Sequence, residues 1–279
     1  MIQKNLIHDV GMCNGDDTNF YLKKGFNVIA FEADPELVAF CRDRFSDAIK
    51  TGQLIIVEGA IVDTEVMTES TDKVTFFKNK GNNQWGTVCQ NWVDRNERCD
   101  KPSSIIEASV IDFAACLNRY GIPHYLKIDI EGMDVLCLKA LLSFSEKPNY
   151  ISLESNKVDF EALKREFDLL CKLGYNSFQV INQAEIPYSK TSFITKEGIH
   201  VEHVFTNASS GLFGNDLPEY GWIDRKKAIQ KYRWIFLKYL LYKDDRFYRW
   251  RKYLLGKIYY RILGILISSP GWYDTHARR

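Results

Sequence analysis

The chain has 279 residues, of which 46% are hydrophobic, and 37 Lys and Arg balance 36 Asp and Glu to a formal net charge of +1. That is length for one α/β domain with a large core, or one domain plus an extension. Seven scattered cysteines without a CxxC pair argue against a zinc site and against a disulfide framework, and the balanced charge excludes no class by itself.

Short apolar runs alternate with helical patterns over the first two hundred residues, as in a parallel sheet covered by helices. Residues 6–10 read as strand one, ending at Gly11, and 16–24 as the following helix, stopped by Gly25. Residues 27–31 are strand two, the segment after Pro35 is helix two, and 54–57 are strand three. Residues 62–104 read as a polar, irregular insert with one short strand around 74–77, and so long an insert is usually functional or disordered. A short helix over 112–120 follows, then strand four at 125–130, strand five at 150–153 and an amphipathic helix at 160–173. Residues 177–181 and 200–205 read as the last strands, and Ser209 to Gly214 then breaks the pattern. From Trp222 onward the tail is basic and aromatic, so the part before it is net acidic. No signal peptide is expected ahead of strand one. The longest apolar stretch, 253–269, is shorter than the roughly 20 residues of a spanning helix and is interrupted by Lys257 and Arg261.

Three strand ends carry the chemistry. Strand one leads into Asp9-Val10-Gly11-Met12-Cys13-Asn14-Gly15-Asp16-Asp17-Thr18. The glycines allow close backbone approach, but the G-x-x-x-G spacing is not that of dinucleotide sites. Two acids open the next helix, where a pyrophosphate would need free N–H groups, so a zwitterionic sulfonium ligand suits the segment better. Strand two ends at Glu32, 21 positions after Gly11, close to the roughly 20 expected of an acid that binds ribose hydroxyls. Strand four ends in Lys127-Ile128-Asp129-Ile130-Glu131-Gly132-Met133-Asp134, bunching acids at the edge where open α/β sheets bind ligands.

In order and spacing these segments resemble the FkbM-type methyltransferases, over about residues 5 to 215, and the hexapeptide from Lys127 to Gly132 is the most specific element. Val110-Ile111-Asp112-Phe113 and Ile151-Ser152-Leu153-Glu154 are also similar to segments of that family. Two departures stand out: Met12-Cys13 replaces the usual Ala-Asn, and the proline after strand two is displaced to Pro35. The resemblance implies a Rossmann-like class I methyltransferase fold, α/β, with a mostly parallel seven-stranded sheet and helices on both faces. Since the likeness ends near residue 215, the chain is expected to divide into a methyltransferase domain, 1–215, and a basic, aromatic, helical C-terminal extension, 216–279, which the resemblance does not explain. The resemblance implies S-adenosyl-L-methionine as cofactor, held by Asp9, Gly11, Asn14, Gly15, Thr18, Glu32, Ala60 and Asp129. The usual reaction is methylation of a hydroxyl on a sugar, glycan or natural-product scaffold. The catalytic base is expected to be Glu131 or Asp129, with Glu154 as a further candidate.

For the acceptor, Asn82, Asn83, Gln84, Trp85 and Thr87 of the insert combine amides with an aromatic plate, and His203 is a weaker candidate. Gln179, Asn182, Gln183 and Ser209 to Gly214 stand where a loop could close the pocket. No metal is expected, because the spacing of Asp129, Glu131, Asp134 and Glu154 does not force a magnesium site. In the tail, a broad apolar face edged by Lys257 and Arg261 fits either an interfacial helix on an anionic membrane or, as the favoured reading, a helical hairpin docked on the domain or a second subunit. Nucleic acid is not expected as a partner, and the location expected is the cytoplasm, with peripheral contact at the inner face of the membrane left open. A nicotinamide-dependent oxidoreductase and a non-catalytic cofactor-binding protein are the alternative functions.

Overall fold

A computed structural model describes residues 2–63, 72–79, 86–88, 103–130, 132–156, 159–194, 200–242, 253, 257–259, 261 and 271–279. Its strands are β1 (Ile2–Val10), β2 (Asn27–Glu32), β3 (Leu54–Glu58), β4 (Ala60–Ile61), β5 (Lys73–Asn79), β6 (Ser103–Ile111), β7 (Ile122–Ile128), β8 (Tyr150–Glu154), β9 (Ser177–Asn182), β10 (Lys190–Ile194), β11 (His200–Val204) and β12 (Tyr273–Arg278). The α-helices are α1 (Asp16–Lys23), α2 (Pro35–Arg44), α3 (Ser46–Lys50), α4 (Phe113–Tyr120), α5 (Asp134–Leu141), α6 (Phe160–Lys172) and α7 (Arg225–Tyr242).

Seven strands form the main sheet in the order β3-β2-β1-β7-β8-β12-β9. The pairs from β3 to β8 are parallel, and β12 runs antiparallel between β8 and β9. This is the class I methyltransferase arrangement implied by the sequence. Both faces of the sheet are covered, which is why its parallel strands read as apolar runs rather than alternations. Leu6, Val10, Ile29, Phe31 and Leu126 pack with α4, α5, α6 and α7 on one face; Ile7, Val28, Ala30 and Tyr125 pack with Phe20 and Tyr21 of α1 on the other.

Local chemistry sets the helix starts. Asp34 caps α2 by accepting from the Glu36 N–H at 2.9 Å, and Pro35 takes the first helical position. The displaced proline is thus a helix start. Asp112 and Asp159 cap α4 and α6 in the same way.

Three sequence expectations change. β6 extends through residues read partly as irregular insert, pairing antiparallel with β5 and, at its far end, parallel with β4. β11 pairs with β10 in a separate hairpin rather than in the main sheet. Most importantly, the boundary at residue 215 does not hold: α7 buries Ala228, Ile229, Tyr232 and Ile235 in the main core, and β12 is an interior strand of the sheet. Its sequence, Tyr-Asp-Thr-His-Ala-Arg, lacks the apolar signal of a buried strand, yet its first five residues are buried. Part of the compensation is a hydroxyl cluster, in which Thr275 Oγ1 lies 2.5 Å from Ser155 Oγ and 2.8 Å from the Tyr232 hydroxyl. Deleting 271–279 removes a strand paired on both sides and leaves two ladders open. Loss of the cooperative thermal transition is the expected result, read by circular dichroism; a deleted chain that still melts cooperatively contradicts this.

Candidate active site

The strand order reverses between β1 and β7, and ligands of open α/β sheets bind beyond the carboxyl ends of strands at such a point. A cleft there encloses about 870 Å³, part of it open solvent. Its floor is Val10 to Cys13, Phe31 to Asp34, and Lys127, Asp129 and Ile130; Ala60, Ile61, Phe76, Lys78, Thr87 and Val88 form a wall.

The loop after β1 is shaped by neighbouring backbone. Gly11 (φ +85°) and Met12 both donate to the Phe31 carbonyl, at 3.0 and 2.9 Å. A Cβ on Gly11 would lie 1.9 Å from the carbonyl oxygen of Asp129, so this glycine is required first by the crossing of the β7 end. Cys13 adopts a left-handed φ of 52°, which turns its N–H onto Glu32 Oε2 at 2.8 Å. The other Glu32 oxygen accepts from the Ala33 and Asp34 amides at 2.8 and 2.9 Å. Burial pushes the Glu32 carboxyl up, to about 7, against the pull of those three amides. The carboxylate is fixed in orientation on the cleft wall and keeps lone pairs for further donors.

Beneath the loop sits a buried charge cluster. Asp9 is fully buried and accepts from the Thr18 hydroxyl at 2.6 Å; its Oδ1 makes no hydrogen bond and faces the Lys127 ammonium at 3.4 Å. Lys127 donates to the Gly11 carbonyl at 2.9 Å and lies 3.7 Å from both Asp17 and Asp129. Burial acts to lower the Lys127 pKa, but the charges of Asp9, Asp129 and Asp17 outweigh it and hold the ammonium well above the ordinary range. Asp17 is itself pushed up, to about 6, by burial and the Asp9 charge, against the pull of Lys127. Lys127 therefore ties the loop after β1, the start of α1 and the end of β7 to one point.

The other predicted residues fall into three groups. Asp9, Gly11, Thr18, Glu32, Ala60 and Asp129 are gathered at or directly beneath the cleft, and Thr87 is on its wall. Asn14, Gly15, His203 and Glu154 are not among the cleft-lining residues. Asn14 is bonded to Asp16, and a Cβ on Gly15 would meet the Phe45 ring at 2.4 Å, so both serve the turn into α1. His203 is buried with its ring 4.8 Å from that of Phe20 and 4.9 Å from that of Phe205, as an aromatic-cluster residue. Glu154 ends β8, opposite Asp274 of β12. Glu131, Asn82, Asn83, Gln84 and Trp85 lie outside the described residues.

Asp134 accepts from the Ile130 and Gly132 amides, both at 3.3 Å, so this third acid of the motif braces the turn after β7. The segment after β11 is drawn in by the acids of α1: the Thr206 hydroxyl donates to Asp16 at 2.6 Å and the Ser210 N–H to Asp17 at 2.8 Å, placing Ala208 on the cleft wall. Lys78 was not foreseen. It crosses from β5 to Asp34 at 2.9 Å and also pairs with Glu36, fastening the wall to the start of α2.

These residues fit S-adenosylmethionine. Glu32 would hold the ribose hydroxyls, the apolar wall of Ile61 and Phe76 the adenine, and the loop from Gly11 to Cys13 with Asp129 the methionine portion. Lys127 and Lys78 are each already paired with carboxylates, and Glu32, Asp34 and Asp129 make the lining acidic, which suits a sulfonium and opposes a pyrophosphate.

Comparison with solved structures finds distant likenesses. The precorrin-6y C5,15-methyltransferase of Geobacter metallireducens is 15% identical, with 73% of this chain and 77% of that chain covered and a TM-score of 0.36. A SAM-dependent methyltransferase from Archaeoglobus fulgidus is 10% identical, with 99% and 87% covered and a TM-score of 0.38. No curated protein matches the chain. The family described as the Methyltransferase FkbM domain matches residues 9–177, a span that runs from the buried Asp9 through Glu32 and Asp129 to the start of β9. More than half of the chain lies within that match, and its acidic strand-end cleft is the one the sequence pointed to: the chain belongs to the FkbM methyltransferase family, with S-adenosylmethionine as its cofactor.

Proposed function

We propose that the chain is an O-methyltransferase acting on a hydroxyl of a sugar, glycan or natural-product scaffold. The observation that carries this reading is Asp129. It stands on the cleft floor with its side chain 41% exposed, so a carboxylate oxygen can meet a molecule in the cleft. An alcohol is a weak nucleophile at neutral pH and gains from a base within hydrogen-bond reach, whereas a neutral amine has less need of one.

The cofactor supplies an electrophilic methyl group. Asp129 accepts the hydroxyl proton at a carboxylate oxygen, with the Lys127 ammonium 3.7 Å away as a counter-charge. The wall from β5 and Thr87 limits water access and orients the acceptor, and alignment of this kind contributes up to about 7–11 kcal/mol to such reactions.

Asp129→Asn is expected to lower turnover by about 10²–10⁴-fold while S-adenosylhomocysteine affinity stays within a few-fold of wild type, as read by calorimetry beside a transfer assay. Near-normal turnover would remove Asp129 from this role. The substrate class is tested with methyl-labelled S-adenosylmethionine on hydroxyl, amine and thiol versions of one scaffold. Transfer confined to nitrogen or sulfur would overturn the O-methyl reading.

A further inference from the structure

The inner face of α7 is accounted for by its packing on β9 and α6. The outer face is different. Trp234, Leu237 and Leu240, spaced three residues apart, are 65%, 41% and 68% exposed. Helical periodicity sets Leu237 opposite Ala228, Tyr232 and Ile235, with Trp234 and Leu240 flanking it on either side, Leu240 on the flank nearer Ile229. Toward the start of the helix the outward positions are cationic instead, with Lys226, Lys227 and Arg233 exposed. From Arg225 to Arg261 the sequence carries thirteen Lys and Arg against two Asp, and the remainder of the chain has more acids than bases.

The placement of this face is also specific. Ile223, just before α7, pairs with Phe178 near the start of β9, and near the other end of α7 the Tyr239 hydroxyl donates to the Gly271 carbonyl, beside the carboxyl end of β9. The apolar half of α7 therefore lies toward the sheet edge at which the cleft opens. Trp272, next to Gly271, is 47% exposed at that same edge.

We propose that this face, Trp234, Leu237 and Leu240 with Trp272, docks the protein on an anionic lipid bilayer. Tryptophans favour the interfacial layer, where the ring is apolar and its N–H meets water. The surrounding cations supply attraction to anionic headgroups within a Debye length of about 8 Å at physiological salt, and the acidic remainder of the chain is turned outward by the same field. Charge complementarity selects an anionic surface over a neutral one. Docking there keeps the bound surface at the same end of the sheet as the cleft. The proposal holds whichever atom the enzyme methylates.

The test uses the full chain, because a chain cut before α7 would lose β12 and part of the core. Vesicles of phosphatidylcholine alone and of phosphatidylcholine with phosphatidylglycerol are compared by co-sedimentation, with tryptophan emission recorded in parallel. Expected is binding to the anionic vesicles with a blue shift, release by high salt, and weak binding to the neutral ones. The Trp234→Ser/Leu237→Ser/Leu240→Ser variant is expected to lower the bound-to-free ratio by about ten-fold or more, with the thermal transition and S-adenosylhomocysteine binding unchanged. Lys226→Gln/Lys227→Gln/Arg233→Gln, which alters only exposed side chains, should weaken binding and flatten its salt dependence. Wild-type protein that ignores anionic vesicles overturns the proposal, as do two variants that bind as wild type does. A face that instead joins two copies would appear in light scattering as a dimer dissolved by the apolar variant, without vesicle binding; that outcome also overturns it.

Discussion

Glu32→Ala is expected to weaken S-adenosylhomocysteine binding by about 10²–10⁴-fold, from loss of two hydrogen bonds between ribose hydroxyls and a charged group at roughly 1.5–3 kcal/mol each. The same substitution takes the acceptor from the Cys13, Ala33 and Asp34 amides, so the loop after β1 loosens as well. Glu32→Gln separates the two effects. It keeps the size of the side chain, but its NH₂ group faces amides that can only donate, so the loop should loosen while one acceptor oxygen remains. An alanine variant that binds within a few-fold of wild type would show that this carboxylate only shapes the loop. Calorimetry reads the affinity and a thermal melt reads the loop's share.

Lys127→Met is expected to cost about 3–5 kcal/mol of stability, because it leaves Asp9 and Asp17 as buried carboxylates without their counter-charge. For a chain of this size that is a fall in Tm of roughly 10 °C. The pH dependence carries a sign. Lys127 is held above its ordinary pKa when folded, so its contribution is present throughout the neutral range and lost only as pH rises through that elevated value. Asp17 carries the same sign in a lower window: raised from 3.8 to about 6, it takes up a proton on folding, and stability falls as pH climbs between those values. Without the ammonium that window extends upward. The variant should therefore be penalised more at pH 8 than at pH 5, and an equal penalty at both would contradict the charge account. Turnover should fall too, because Asp129 loses its ion pair with Lys127.

The cleft was legible in the sequence because its parts are strand ends. An apolar run that stops at Gly11, another at Glu32 and a third just before Asp129 fix three corners of one pocket once the strands are taken as parallel neighbours. Gly15 and Asn14 were assigned to the cofactor because the motif holds them close in sequence; the Phe45 ring and the Asp16 side chain, which explain them, are contacts that spacing alone does not display. Lys78 was beyond reach for a similar reason, since it meets Glu36 from 42 residues away without a local signature. Lys127 carries a signal of its own: a cation flanked by Leu126 and Ile128 in a mostly apolar strand calls for buried counter-charges. The last strand was hidden by its polarity. Hydrophobic periodicity is the main signal for a strand, and β12 buries Asp274, Thr275 and His276 instead. Its neighbour α7 was legible as basic and aromatic, but which face packs inward depends on the core that β12 completes.

The most direct measurement is calorimetric titration of the full chain with S-adenosylhomocysteine and, separately, with NAD. One molecule of S-adenosylhomocysteine bound per chain, lost with Glu32→Ala, and no heat with NAD is the result predicted. Binding of NAD in its place, or of neither ligand by folded protein, would contradict the assignment of this cleft.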